Sequence, residues 1–409
     1  MSLSVTTRVL DDDRPLLALP PVADALAWVR DGEGLVGWGE AVRLRPGPGP
    51  GRIEEADAAL RDLEAQVDDP VGLPGSGLVA LGSFTFSPDS AGSALVVPRV
   101  VVGRRDGTTF LTHIDPAGAA PAPRPATDAP HTPVRDRPRY AGSTVPDLHW
   151  LEAVARAVER IGDGELQKVV LARDHAVWAR DPFDPLELAR RLTERFPSCH
   201  TFVVDGLVGA TPELLLSRRG RRVTSRVLAG TAGRDPDEAT DAALGAALLA
   251  SDKDRWEHRL AAESVEEVLR PRCEQLDHES DPRLLRLDNV QHLATTFEGR
   301  LRGDESALQL VAALHPTAAV GGTPRARSLA VIAELEGMDR GRYAGPVGWT
   351  TPDGDGEWGI ALRCAELAGA RARLFAGVGV VAASLPEDEL EETRLKLLAM
   401  QAALDVAPS

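Results

Sequence analysis

Two series of consecutive strand-like segments, separated by a long helical stretch, set the fold class of this 409-residue chain. Residues 201–208, 213–217 and 222–228 are short apolar runs, with Arg219-Gly220 as a turn between the last two. Residues 345–349, 357–364 and 371–381 form a second such series. Around them, 148–161, 186–196, 235–269 (broken near Ser251), 324–335 and 384–404 carry the apolar period of helices. Strands that follow one another directly pair antiparallel, whereas alternating βαβ units build a parallel sheet. The order therefore predicts a large α+β domain. Residues 168–173, KVVLAR, read as one more strand, apolar on both faces and hence buried.

The first 115 residues are less regular. Short strand-like runs at 25–29 and 78–82 accompany helical periodicity over 53–67, and 46–51 reads as a loop. Residues 116–138, rich in Pro, Ala and Thr, read as an exposed connection. The segments that carry chemistry all fall in 139–405, and there is no internal repeat.

Charge excludes some activities. With 46 basic against 62 acidic residues the net charge is −16, which disfavours nucleic acid or an anionic membrane as a partner. No apolar run approaches the ~20 residues of a membrane span, and the first thirty residues lack a secretion-signal pattern. The three cysteines, Cys199, Cys273 and Cys364, show neither metal-ligand spacing nor a disulfide framework. A cytoplasmic protein is expected. Of the basic residues only Lys168, Lys253 and Lys396 are lysines. Arginine replaces lysine wherever charge alone matters, but not where an amine must lose its proton, so each lysine draws attention.

Lys168 opens the KVVLAR strand, where desolvation favours a neutral amine able to act as a base; the alternative is a frayed strand end with the amine in water. Glu213 precedes Leu214-Leu215-Leu216, a setting that can raise a carboxyl pKa and make a general acid, or leave it solvated at a hairpin mouth. Asp254 and Glu257 share a helix face, and Glu389 and Glu392 repeat the spacing on the last helix, with Lys396 one turn on. Four carboxylates on two helices suit Mg²⁺, which takes a few carboxylates plus water and substrate oxygens. They equally suit helix starts, Ser384 and Glu387 fitting a capping box. Gly-containing turns at 228–231, 321–322 and 376–379 present backbone N–H groups that could meet an anion, without a nucleotide-binding fingerprint. His292 is either an anion contact or a satisfied core histidine. Arg363, in an otherwise apolar strand, needs a partner if buried, and a ligand carboxylate would suit its fork.

Taken in order, KVVLAR from Lys168, GATPELLL from Gly209, LAGTAGR from Leu228, SDKDRWEH from Ser251, VQHLATT from Val290, LHPTAAVGGTPR from Leu314, RGRYAGPVGW from Arg340 and AGVGVVAASLPEDELEETRLK from Ala376 resemble the chorismate-utilising enzymes, within them the isochorismate synthases. The resemblance covers roughly 140–405. It implies a single large α+β domain with two facing β-sheets flanked by helices and a deep cleft between them. It also implies a Mg²⁺-dependent isomerisation of chorismate to isochorismate, with water added at C2 and the C4 hydroxyl lost. By resemblance Lys168 is the general base and Glu213 the general acid. Glu257 and Glu392 bind Mg²⁺, with Asp254 and Glu389 in a supporting acidic shell. Tyr343, Arg363 and Gly377 grip the enolpyruvyl carboxylate, and Gly230, Thr231, His292, Ala319 and Lys396 line the cleft. Related anthranilate synthases typically carry Gln where Lys168 stands and use ammonia, and aminodeoxychorismate synthases carry Lys where Ala229 stands. Salicylate synthases share the lysine but show a Thr-containing segment where this chain has Ala319-Val320. A monomer with no glutaminase subunit is expected. The alternatives are a salicylate synthase, which goes on to eliminate pyruvate, and a catalytically silent chorismate-binding paralogue. Whether the product would feed menaquinone, a catecholate siderophore or a salicylate-derived product is left open.

Overall fold

The computed structural model describes residues 2–22, 25–119 and 137–405. Two large sheets, of thirteen and ten strands among the described residues, make the body of the protein, with eight α-helices around them. Every pairing is antiparallel except that of Ser2–Val9 with Glu64–Asp68. One hydrophobic core takes residues from both sheets. Trp28, Leu171, Phe202 and Val378 from the larger sheet pack in one cluster with Leu81, Leu215, Val227 and Trp358 from the smaller. A second cluster lies under the Pro185–Arg195 helix and the end of the Pro386–Ala403 helix. The α+β architecture with two sheets is as the sequence predicts. The N-terminal strands enter both sheets: Leu26–Arg30 pairs with His200–Val204, and Ala80–Ser83 with Pro346–Thr350. Most of the 116–138 connection lies outside the described residues.

Five expectations need correction, each for a local reason. The helix over 53–67 ends at Arg61, where the buried positions Ile53, Ala56 and Leu60 run out. From Glu64 the apolar period falls to two and an edge strand, Glu64–Asp68, follows. The run 201–208 is not one strand but a hairpin, His200–Val204 and Leu207–Thr211. Its two-residue turn is Asp205-Gly206, with φ of 47° and 79°, the left-handed pair that an Asp-Gly turn supplies. The run 357–364 also divides, into Gly356–Ile360 of the smaller sheet and Cys364–Ala368 of the larger. Arg363, at φ 48°, sits in the crossing between sheets and not within a strand.

That last break has a twin. Leu207–Thr211 belongs to the larger sheet and Leu214–Arg219 to the smaller, so the chain also changes sheets at Pro212-Glu213. The crossings lie side by side: Ala210 N donates to Arg363 O at 3.2 Å, and Ile360 N to Glu213 O at 3.4 Å. Glu213 and Arg363 are thereby held where the sheets meet.

The strand expected over 168–173 runs on to Trp178. The charges that read as its end are paired inside the fold. Arg173 meets Asp147, and Asp174 takes bonds from Thr144 and from Arg373 at 2.6 Å. The Ser384–Glu387 capping box does not form. Ser384 Oγ accepts from Val381 N at 3.1 Å, and Leu385 takes the N-cap position.

Candidate active site

The pocket between the sheets is built from strand faces that lack side chains. Val170 pairs with Gly379 and Ala172 with Gly377, so Arg371–Val380 presents alternate glycines to it, beside Val170 of Lys168–Trp178. A Cβ on Gly377 would lie 2.9 Å from Tyr343 Oη, and one on Gly379 would lie 2.0 Å from Glu257 Oε1 and 2.8 Å from Lys168 Cε. On the facing sheet, Gly230 (φ 74°) is the bulge that shifts the register between Ala229 and Thr231. The bulge sets Gly230 against Asp254, whose Cβ would be 3.2 Å away from a side chain there. Helices Asp252–Leu269 and Pro386–Ala403 bring in Glu257 and Glu392. The enclosed room is about 60 Å³.

Of the residues singled out from the sequence, Glu213, Gly230, Thr231, Glu257, His292, Ala319, Tyr343, Arg363, Gly377, Glu392 and Lys396 all line this pocket. Three do not. Asp254 stands behind Gly230, and Glu389 is buried in an ion pair with Lys253 at 2.6 Å. Lys168 is wholly buried behind the pocket, against Gly379 and with its amine 3.2 Å from Glu257 Oε1. That contact is an ion pair without hydrogen-bond geometry, so the amine nitrogen has no acceptor.

All three lysines of the chain pair with this acidic group: Lys168 with Glu257, Lys253 with Glu389, and Lys396 with Glu392 at 2.5 Å. Lys396 also donates to Gly377 O at 2.9 Å. Burial works against the Glu392 carboxylate, but Lys396 and a bond from Thr231 hold its pKa below the usual range. Burial and the neighbouring Glu392 raise Glu389, and burial raises Asp254. Lys253 is desolvated, yet Glu389 keeps its pKa above the ordinary value.

Glu213 behaves differently. It is 2 % exposed, and burial pushes its pKa up to about 8 against the opposing pull of Lys168 and Arg363. At neutral pH it is a carboxylic acid with a proton to give. Arg363 Nη2 lies 3.0 Å from His292 Nε2, and a guanidinium only donates, so Nε2 accepts. The ring proton is then on Nδ1, facing Thr231 Oγ1 at 3.1 Å and Gly230 O at 3.2 Å. Burial, with Arg363 beside it, holds the His292 pKa well below the usual value, so the ring is neutral. Tyr343 stacks on Phe375 (centroids 5.0 Å apart, planes at 6°), and burial pushes its phenol up.

The sequence reading missed Arg340, and it took Gly379 as part of a turn where the structure has the strand Arg371–Val380. Both lie within motifs it quoted, and Gly379 had a legible signal, two glycines at a strand's period of two. Arg340 is buried against Glu336 and donates to Val320 O and Val170 O, two residues of the pocket wall.

The comparisons with known proteins agree with this geometry. A family model described as chorismate binding enzyme matches residues 27–405. The chain belongs to the chorismate-binding enzyme family. Among relatives of this chorismate-binding enzyme, a Mycobacterium tuberculosis protein that carries the provisional name isochorismate synthase MenF is 40% identical over 370 residues, covering 87% of this chain and 90% of that one. The isochorismate synthase EntC of Escherichia coli is 44% identical over 254 residues, 61% of this chain and 65% of that one. The solved structure of MenF, the menaquinone-specific isochorismate synthase of Escherichia coli, superposes with a TM-score of 0.81 at 26% identity, over 98% of this chain and 94% of that one. No helix among the described residues is long and apolar enough to cross a membrane.

Proposed function

We propose that this enzyme is an isochorismate synthase, interconverting chorismate and isochorismate. The observation that carries the reading is a protonated carboxyl lining the cleft and a buried lysine just behind the cleft wall. Glu213 is a buried carboxyl kept protonated to about pH 8, and Lys168 is a buried amine whose nitrogen has no hydrogen-bond acceptor. A carboxylic acid and an amine beside one cleft can serve as the donor and acceptor of a proton-transfer reaction. Lys168 takes a proton from water as the water oxygen bonds to C2. The two ring double bonds each shift by one position, the C4–O bond breaks, and Glu213 protonates the departing hydroxyl, which leaves as water. Lys168 acts once its contact with Glu257 is given up. Arg363, Tyr343 and the Gly377 backbone hold the enolpyruvyl carboxylate, and neutral His292 fixes the Arg363 fork.

Mg²⁺ fits the donor set. No group of three or more His, Cys, Asp or Glu ligands occurs among the described residues, but two pocket carboxylates suffice for an ion that keeps waters and substrate oxygens. Glu257 and Glu392 would hold it, and it would supply positive charge for the substrate's ring carboxylate. The attacking group is water and not ammonia, so the reading needs no glutaminase subunit, and a cytoplasmic monomer suffices.

Incubation with chorismate and Mg²⁺ near neutral pH, followed by chromatography, tests this. An equilibrium mixture of the two isomers is expected, because Ala319-Val320 replaces the Thr-containing segment of the lyase type. Pyruvate released in step with salicylate would instead make it a salicylate synthase. Chorismate bound without turnover would make it a silent paralogue.

A further inference from the structure

A second cavity lies behind the Arg340–Glu336 pair, on the far side of the active pocket wall. It encloses about 570 Å³, against about 60 Å³ in the active pocket. Ile53, Phe86, Leu329 and Ile332 give it apolar walls, among the buried polar residues Arg52, His315, Glu336 and Arg340. Three arginines line it, Arg52, Arg325 and Arg340, and Arg340 is paired with Glu336. Arg52, the first residue of the Arg52–Arg61 helix, is 5% exposed and donates from Nη2 to Thr85 O at 2.6 Å. Its Nε has no acceptor, and no carboxylate among the described residues is within ion-pair distance of it. A buried guanidinium with one neutral bond is costly unless something completes it. A carboxylate is the group that matches its fork.

The same cavity is wired to the active pocket. Arg340 lines both. Its guanidinium lies over the Phe86 ring at 4.1 Å, on the cavity side. It pairs with Glu336 at 2.6 Å and donates to Val320 O at 2.9 Å and Val170 O at 2.7 Å, on the active side. A molecule that displaces Phe86 or pairs beside Arg340 changes the support of two residues in the active pocket wall. The cavity rim carries Asp89 and Asp339, both exposed. Exposed Arg325 balances part of that charge, so the specific match is to Arg52, the buried guanidinium with no ion-pair partner among the described residues, and a molecule with one carboxylate and an apolar body supplies it.

We propose that this cavity is a second ligand site, for a small aromatic monocarboxylate whose carboxylate pairs with Arg52 and whose occupancy is transmitted to the active pocket through Arg340. Titration calorimetry with benzoate as the probe, on the full chain and without chorismate, tests the site whether or not the isomerase reading holds. Benzoate should bind one to one, and benzamide, which lacks the charge, at least about tenfold more weakly. Arg52→Met should weaken benzoate by about tenfold or more, since an apolar side chain of similar volume keeps the packing but not the pairing. Ala333→Trp, on the exposed face of the Arg325–Leu335 helix at the cavity wall, should abolish binding while leaving turnover intact. Absence of binding to the unmutated protein at millimolar benzoate, or equal affinity in both variants, would overturn the site. Saturating benzoate should change kcat for chorismate, and Ala333→Trp should remove that effect. An unchanged kcat, or inhibition overcome by chorismate alone, would overturn the transmission through Arg340.

Discussion

Replacing Glu213 with Gln should make the protein more stable and nearly inactive, and the gain in stability should depend on pH. The carboxyl has an ordinary value of 4.5 and about 8 when folded. Between those values the folded chain holds one proton more than the unfolded chain, so stability falls as pH rises through the window. At pH 9 the whole displacement is felt, a cost of about 5 kcal/mol. At pH 7 the cost is about 3 kcal/mol, and at pH 5 it is below ~1 kcal/mol. Gln has nothing to ionise. Its stability relative to the unmutated chain should therefore climb by about 4 kcal/mol from pH 5 to pH 9, whatever constant offset the amide introduces. The assay is urea unfolding at pH 5, 7 and 9, followed by tryptophan fluorescence, with midpoints compared at matched slopes. Turnover should drop by about 10²–10⁴-fold, the usual loss for a general acid. A stability difference that stays flat across this pH range, or turns against Gln at pH 9, would refute the claim that burial keeps Glu213 protonated.

Three further outcomes are expected. Lys168→Arg keeps a positive charge but cannot accept a proton, so turnover should fall by about 10²–10⁴-fold with the circular dichroism unchanged; near-normal turnover would make the residue a charge clamp only. Glu392→Gln should sharply weaken Mg²⁺-dependent turnover, and full activity of the unmutated enzyme in excess EDTA would sink the metal reading. Gly379→Ala puts a methyl 2.0 Å from Glu257 Oε1 and 2.8 Å from Lys168 Cε. It should cost about 10²-fold or more in rate with little change in thermal midpoint, because the side chain ends can shift but the reacting geometry is lost; an unaffected rate would show that the bare strand at Gly379 is not what positions Lys168 and Glu257.

Much of the site could be read from residue types, while the missing parts were set by the third dimension. Lys168, Glu257, Glu392 and Lys396 stand out in the sequence because lysine is scarce and the carboxylates repeat at helical spacing. That Lys168 would meet Glu257 could not be read, since a strand and a helix almost ninety residues apart have no periodicity in common. The Arg363 crossing was hidden for a different reason. Apolar residues continue through 357–364 although the chain changes sheets there, and hydrophobicity does not record which sheet a residue serves. The hairpins were more accessible than the strand reading allowed. Asp31-Gly32, Asp106-Gly107 and Asp205-Gly206 all carry paired positive φ values, and each joins two strands; Asp-Gly is the turn chemistry for that geometry. At Asp205-Gly206 fully buried strands on both sides masked it, because continuous apolar runs lack the alternation that marks where one strand stops.

The pairing of early strands with late ones constrains how the chain can be made. Ser83 finds its partner Val347 only 264 residues later, and Trp28 waits for Phe202. At about 5–20 residues per second on a ribosome, the first of those waits lasts roughly 13–50 s. During that time Leu81 and its neighbours, which end in the core, have no sheet to join on that side. Neither half of the chain closes its own sheets, so maturation is one late event gated by the emergence of the last strands. Stalled or truncated synthesis would leave apolar strand edges open to other chains.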